Sequence, residues 1–183
     1  MNAILDIIGS TLIGGTILLL IIRLNTSISD SMTDKTLSYQ SQSNLASIVR
    51  IMDKDFKKIG LGVSDSIKIR TADSSRITFL YDKGNNGTID SMTYYLSPVS
   101  SAGGTSNPKD RLLYRTINND PARTSSLGVT KFKILYFDAS GKLTAYRSKI
   151  SYFKVALNVE SIYANNNSYG GAYWEKIYKP KNL

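Results

Sequence analysis

The sequence contains no cysteine and no histidine. Their absence excludes disulfide bonds, thiol nucleophiles, serine–histidine triads and the usual zinc sites. Proline is scarce, with four residues in 183, and none lies in residues 1–97. A long helix in the first half of the chain would therefore meet no proline break. Acidic residues are outnumbered, with 14 Asp and Glu against 23 Lys and Arg, which gives a net charge of +9.

The acidic residues do not form a catalytic pattern. Hydrolysis by carboxylates needs two acids that converge in one pocket, whereas the nine acids of residues 61–183 are scattered along the sequence. Two further acids, Asp53 and Asp55, precede Lys57 and Lys58 at helical spacing, and we predict that these lysines balance them. We predict no enzymatic activity, no cofactor and no catalytic residue.

The longest apolar run, residues 7–22, contains no charged side chain. Residues 3–22 supply the ~20 mostly apolar residues that a membrane-spanning helix needs. A cleaved signal peptide would have basic residues before this run and a small-residue cleavage site after it, and the sequence has neither. We therefore predict that residues 1–24 form a hydrophobic helix of a membrane or of a filament core.

The pattern becomes amphipathic further along the chain, where apolar residues recur at the spacing of one helical face. Residues 27–43 are rich in Ser and Thr and only weakly periodic, so we expect a looser or bent segment there. Gly60 and Gly62 provide a helix stop. We predict that residues 25–60 continue the helix, with one apolar face formed by Leu45, Ile48, Val49, Met52, Phe56 and Ile59.

Residues 61–183, here called the head, change to the period of two that is typical of β-strands. The cluster of turn-forming residues at 82–90 predicts a hairpin. We predict an α+β fold in which the long N-terminal helix, with its hydrophobic and amphipathic halves, packs against an antiparallel β-sheet. The predicted strands are residues 66–70, 76–81, 91–96, 111–117, 129–137 and a region within 149–161.

Three parts of the sequence carry a family resemblance. Residues 2–6 (NAILD) are similar to the start of a mature type IV pilin, and residues 51–60 (IMDKDFKKIG) to the end of the long pilin helix. In the head, the chain resembles the same proteins through ITFLYD, TYYL and LYR, followed by residues 129–141. The chain thus resembles type IV pilins and pseudopilins, most closely the J-like pseudopilins of type II secretion and the W-like minor pilins.

The resemblance implies a pilin-like fold and a structural role. The chain would be a subunit of a type IV pilus-like or type II secretion-like filament, assembled through its N-terminal helix. Its partners would be other pilin-like subunits, in a homo- or hetero-oligomeric filament. It would lie in the bacterial inner membrane as a single-pass protein with an exported head, and then in an extracellular or periplasmic filament.

Two frames align the start of the chain with the family. Gly9 and Ser10 resemble a prepilin peptidase site, but in that frame the family's glutamate would fall at Gly14. With Asp6 at the glutamate position, the spacing to residues 51–60 is similar to the family's, and we expect a chain without the usual leader. A carboxylate in hydrocarbon is costly unless it is paired. The resemblance implies that Asp6 pairs with the N-terminal amine of a neighbouring subunit; the alternative is that Asp6 is merely solvated at the membrane surface.

A calcium site is a weaker prediction for the hairpin loop. Asp82, Asn86 and Asp90 partly match a calcium loop, but Gly84 and Thr93 stand where two ligands are expected. The Asn86-Gly87 pair is equally typical of a hairpin turn. No other metal site is predicted.

Nucleic acid is an alternative partner to other pilin-like subunits. The head has 17 basic and nine acidic residues, and it is rich in tyrosine. Such a surface is compatible with single-stranded DNA, although strand tyrosines are usually half-buried sheet residues. The alternative function is therefore a membrane-anchored basic adhesin or DNA-binding (uptake) module that uses the helix only as an anchor.

Overall fold

The computed structural model describes the backbone of residues 2–118, 120 and 123–183, and the side chains of residues 3–118, 120 and 128–183. The chain forms two compact units, Met1–Thr36 and Leu37–Leu183, which we call the N-terminal and C-terminal units. The helix α1 (Asn2–Phe56) contributes to both. It is followed by the strands β1 (Ile69–Asp73), β2 (Arg76–Tyr81), β3 (Asp90–Leu96), β4 (Arg111–Ile117), β5 (Arg123–Phe137), β6 (Tyr152–Glu160) and β7 (Gly171–Tyr178).

The seven strands form one sheet in which each strand pairs with the next along the chain. Every pairing is antiparallel, so the sheet is a simple meander with β1 and β7 at its edges. Two short 3-10 helices, Val99–Ala102 and Arg147–Lys149, lie in the connections. The predicted α+β class with a long helix on an antiparallel sheet is confirmed, and it is consistent with a pilin-like fold.

The N-terminal unit is helical and presents apolar side chains to its surroundings. Large apolar residues between Ile4 and Met32 are at least half exposed, and Leu12 is 68% exposed. The helix is long and apolar enough to cross a membrane. The expected loose segment at residues 27–43 is not observed, because α1 continues through it. Thr33 and Thr36 donate their hydroxyl hydrogens to the carbonyls of Ser29 and Met32, which satisfies these polar groups within the helix.

In the C-terminal unit, the last turns of α1 pack on the sheet through the predicted apolar face. Leu45, Ile48, Met52 and Phe56 are all buried. The Phe56 ring lies in an aromatic cluster, with centroid distances of 5.0 to 5.9 Å to four rings. These rings come from β2, β3, β6 and β7, so one helical side chain contacts most of the width of the sheet; they are Phe79, Tyr94, Phe153 and Tyr178.

The helix ends at Phe56 and not at Gly60, so the predicted C-terminal boundary is wrong by one turn. The Lys58 N–H donates to the Asp55 carbonyl over a three-residue step, which tightens the chain out of the α-helix. Gly60 has a φ of +73°, and its N–H donates to Leu80 of β2. The glycine therefore turns the chain from the helix onto the sheet.

The strand predictions are right for β2 and β4, and β6 lies within the predicted region of residues 149–161. The strand β3 starts one residue earlier than predicted, at Asp90. The β1 strand starts at Ile69 and the β5 strand at Arg123, so the predicted starts at residues 66 and 129 are wrong. The predicted hairpin is confirmed, since β2 and β3 pair as antiparallel neighbours. The strand β7 was missed because it lies in a polar tail and is an edge strand with mostly exposed side chains.

Gly170 lies where the chain entering β7 touches α1. A Cβ atom at this position would lie 2.6 Å from the backbone nitrogen of Ser38 and 2.8 Å from the carbonyl carbon of Leu37. The Ser41 hydroxyl also donates to the Gly170 carbonyl over 2.8 Å. The helix backbone and the chain before β7 are therefore in direct contact.

Replacing Gly170 by alanine is expected to lower the free energy of unfolding of the C-terminal unit by about 1–3 kcal/mol, because the clash is with backbone that cannot rotate away. The measurement is urea unfolding of the full chain in detergent, followed by the fluorescence of Trp174. Gly171→Ala is the matched control, since its Cβ would meet its nearest atom at 3.5 Å. Equal stability of the two variants would contradict the close helix–strand contact.

Candidate functional site

Asp6 lies on the exposed surface of α1 within the N-terminal unit, and its neighbours Leu5 and Ile7 are both more than 60% exposed. None of the ion pairs within the described residues involves Asp6. The carboxylate is thus a single acidic group on an apolar surface.

Gly9 and Ser10 lie inside the helix and not at its end. The Ser10 hydroxyl donates to the Ile7 carbonyl over 3.0 Å. A Cβ at Gly9 would have no atom within 4 Å, so a neighbouring helix can approach closely at this point. Processing at Gly9 and Ser10 stays a prediction.

The three predicted calcium ligands all accept hydrogen bonds, either from residues of their own loop or from Asn118, which follows β4. The Asp82 carboxylate accepts the backbone N–H groups of Gly84, Asn86 and Gly87 at 2.8 to 3.2 Å. Burial opposes ionisation of Asp82, but these hydrogen bonds outweigh it and lower the pKa of its carboxyl.

The other two ligands have similar partners. The side-chain oxygen of Asn86 accepts the Thr88 N–H, and the Asp90 carboxylate accepts the Lys83 N–H and the Asn118 amide. These contacts are those of a closed hairpin turn. In the described part of the chain, no group of three or more acidic side chains is positioned to hold a metal ion. Calcium binding stays a prediction without support from this geometry.

Asp55 is the central polar group of the helix–sheet interface. Its buried carboxylate receives the Arg115 guanidinium in a two-point contact, from Nε at 2.7 Å and Nη2 at 3.2 Å. The Tyr94 hydroxyl donates to the same carboxylate over 2.5 Å. The prediction that lysines of the helix balance Asp55 is wrong, because Asp55 faces the sheet and not the solvent.

The electrostatics of this cluster act on the Tyr94 phenol and the Arg115 guanidinium. Burial, together with the nearby negative charge of Asp55, raises the pKa of Tyr94, so the phenol remains a donor. The hydrogen bond to Asp55 raises the pKa of Arg115, which remains a cation. These contacts link α1 to β3 and β4.

Asp53 forms a second link, from α1 to the edge strand β7. Lys176 Nζ lies 2.8 Å from its carboxylate, and the Tyr178 hydroxyl donates to it as well. Burial opposes ionisation of Asp53, but these two hydrogen bonds, with the positive charges of Lys176 and Lys57, lower the pKa of the carboxyl below its ordinary value of 3.8. Lys57 therefore contributes as predicted, although the ion pair is made with the sheet.

A groove lies beside this link, between α1 and β7, within the C-terminal unit. It encloses about 810 Å³, and we call it the α1–β7 groove. Its floor is apolar and only partly covered: Val49, Ala172 and Trp174 are half-buried and Ala46 is exposed. Its rim on the helix is basic and consists of Arg50, Lys54 and Lys57.

Sequence reasoning missed this groove. The helix residues that form it were recognised as an amphipathic pattern, but its second wall is β7, which the sequence did not reveal as a strand. The signal that was present is the only tryptophan of the chain, which lies in an otherwise polar tail.

Comparisons of the chain with models of known protein families, with curated proteins and with solved structures find no match.

Proposed function

We propose that this protein is a structural subunit of a type IV pilus-like or type II secretion-like filament, which assembles through its N-terminal helix. The observation that carries the proposal is that the N-terminal unit has an exposed apolar surface, whereas the C-terminal unit has its own core. Large apolar surfaces of this kind mark membrane or protein contacts. Lipid would cover the helix before assembly, and the helices of other subunits would cover it afterwards.

The size of the exposed surface supports permanent coverage. Burying one Leu or Ile side chain contributes roughly 1.5–3 kcal/mol. The exposed large apolar residues include twelve Ile and Leu between residues 4 and 22, so water is a poor solvent for this segment. A single-pass membrane anchor would also keep this segment out of water. In a filament, the helices of other subunits would cover the segment in place of lipid.

Asp6 supplies the selectivity in this proposal. An unpaired carboxylate in an apolar bundle is strongly unfavourable. A subunit that enters in the register that brings a cation to Asp6 is therefore inserted more readily than a subunit that leaves Asp6 unpaired. The N-terminal amine of the neighbouring subunit is the group that we propose for this role.

Replacing Asp6 by alanine is expected to lower filament assembly at least tenfold while the C-terminal unit stays folded, because the amine of the neighbouring subunit would be left unpaired in a low-dielectric site. An unpaired buried charge costs about 3–5 kcal/mol, which is more than the 1.4 kcal/mol that a tenfold change represents. Assembly is measured as the fraction of the protein recovered in sheared, sedimented filaments. Asp6→Glu is the control that keeps the charge and should assemble. Normal assembly of Asp6→Ala would contradict the assigned role.

The alternative function, an anchored basic adhesin or DNA-binding module, is favoured by the excess of basic residues in the head. Some of them are exposed beside aromatic rings, as where Arg76 lies 5.3 Å from the ring centroid of Tyr95. Binding of single-stranded DNA that weakens steeply with salt would support this alternative. If the protein does not bind single-stranded DNA even at low salt, the filament subunit is the sole remaining proposal.

A further inference from the structure

The α1–β7 groove has the shape and charge of a site for a helix. One wall is the surface of α1, the other is the edge strand β7, and the floor between them is apolar. None of the ion pairs within the described residues uses Arg50 or Lys54. The one acid at the groove, Asp53, is already neutralised by Lys176. The groove therefore presents net positive charge around an apolar surface, which fits an occupant with acids beside small or apolar side chains.

Such a segment exists in the N-terminal unit of the same chain. Asp30 and Asp34 are four residues apart. Asp30 lines a shallow depression together with Ile22, Asn25, Thr26 and Ser29. The Thr26 hydroxyl donates to the Ile22 carbonyl over 3.0 Å. Because its hydrogen bond is satisfied within the helix, Thr26 can enter a contact without losing a partner. Small side chains with satisfied hydroxyls allow another helix to approach closely.

The two surfaces match in charge and in size when one helix is shifted by 20 positions along the other. Asp30 and Asp34 have the same spacing as Arg50 and Lys54, so a shift of 20 positions brings both acids opposite both cations. The same shift places Thr26 opposite Ala46 and Ser29 opposite Val49. Small residues of the depression thus face the apolar helix residues of the groove floor, and opposite charges lie next to each other on one side.

We propose that the α1–β7 groove binds residues 22–34 of a second copy of this chain, with the two helices parallel, Asp30 beside Arg50 and Asp34 beside Lys54. The parallel direction rests on the proposed function, because subunits of one filament enter it with the same orientation. The charges alone are also satisfied by antiparallel helices, in which Asp30 faces Lys54. The contact would link the N-terminal unit of one copy to the C-terminal unit of its neighbour.

The absence of native cysteine makes a cross-linking test specific. Two differently tagged full-length chains, Thr26→Cys and Ala46→Cys, are co-expressed in a bacterial membrane and treated with a short bis-maleimide. Packed helix axes lie 8–10 Å apart, so the mixed product is expected to be the main cross-link. Ser47→Cys replaces Ala46→Cys as the control. Ser47 is also exposed, but it is rotated about 100° from Ala46 around the helix and should give little product. Lys58→Cys in place of Ala46→Cys tests the antiparallel arrangement, because antiparallel helices with Asp30 facing Lys54 would place Thr26 opposite Lys58.

Charge exchange tests the specificity of the contact. Arg50→Glu with Lys54→Glu in the Ala46→Cys chain should lower the yield about tenfold, since two attractions become two repulsions. Asp30→Lys with Asp34→Lys in the Thr26→Cys chain should restore it. Lys131→Glu with Lys133→Glu is the matched control, because both lysines are exposed, the change in charge is the same and they lie on a central strand away from the groove.

The outcomes separate this contact from the proposed function. Chains that sediment as assemblies but give no Thr26–Ala46 product, or that give it equally with Ser47→Cys, contradict the groove contact and leave the filament proposal intact. Efficient cross-linking to Lys58→Cys contradicts the parallel direction. A loss of yield that charge exchange does not restore contradicts the ion pairs. Chains that form no assemblies contradict the proposed function and this contact together.

Discussion

Replacing Phe56 by alanine is expected to lower the free energy of unfolding of the C-terminal unit by about 3–5 kcal/mol. The Phe56 side chain is fully buried. It contacts rings from four strands, at centroid distances of 5.0 Å to Tyr178 and 5.3 Å to Phe153. Its removal leaves a cavity that these strands, held by their backbone hydrogen bonds, cannot close. Edge-to-face ring contacts are lost in addition to the buried area.

The measurement for Phe56→Ala is urea unfolding of the full chain in detergent, with Trp174 as the fluorescent probe. Ile51→Ala is the matched control, because Ile51 lies on the same helix but is 50% exposed, and a change of less than about 0.5 kcal/mol is expected. Phe56→Leu should lie between the two, since it fills most of the space. A loss below 1 kcal/mol for Phe56→Ala would show that the helix is not an integral part of the core.

Replacing Asp55 by alanine is the second large change, with an expected loss of about 3–5 kcal/mol. Asp55 is 4% exposed, and its removal leaves the Arg115 guanidinium and the Tyr94 hydroxyl without their acceptor. The cost arises from the uncompensated cation more than from the ion pair itself. Asp55 also lies in the last turn of α1, where a negative charge opposes the helix dipole, so the helix alone does not favour it.

Three variants separate these contributions in the same unfolding experiment. Asp55→Asn keeps an acceptor for Tyr94 but not the charge for Arg115, and it should recover little of the loss. The double variant Asp55→Leu, Arg115→Met should be more stable than Asp55→Ala, because no buried charge is left unpaired. Asp53→Ala should cost only about 1 kcal/mol, since the Asp53–Lys176 pair is partly exposed. An Asp55→Ala variant as stable as Asp53→Ala would contradict the central role of the cluster.

The sequence predicted local features well and distant partners poorly. The helical face that ends at Phe56 and the strands β2 and β4 follow from periodicity, which is a local property. The partner of Asp55 could not be predicted, because Arg115 is 60 residues away and the lysines at helical spacing were nearer along the chain. The end of α1 depends on the Gly60–Leu80 hydrogen bond, which is also a tertiary contact.

The edge of the sheet was the least predictable part. Only alternate residues of β7 face the helix, among them Trp174 and Tyr178, and its other side chains are mostly exposed. Apolar patterning is weak in such a strand. The α1–β7 groove depends on that strand, so it could not be predicted either. Asp6 was singled out by the family resemblance, which places it at the glutamate position, and its role in assembly stays a prediction.

The central claim is that the apolar surface of the N-terminal unit is covered by other subunits in a filament. Single-cysteine chains with Leu12→Cys or Ser43→Cys test it, since both positions are exposed in the isolated chain. Filaments are sheared from cells that produce each variant, sedimented and treated with a water-soluble maleimide. The account predicts that the chain sediments with the filaments and that Leu12→Cys reacts at least tenfold more slowly than Ser43→Cys. Retention of the whole protein in the membrane fraction, or equal reaction of both cysteines in sedimented material, would contradict it.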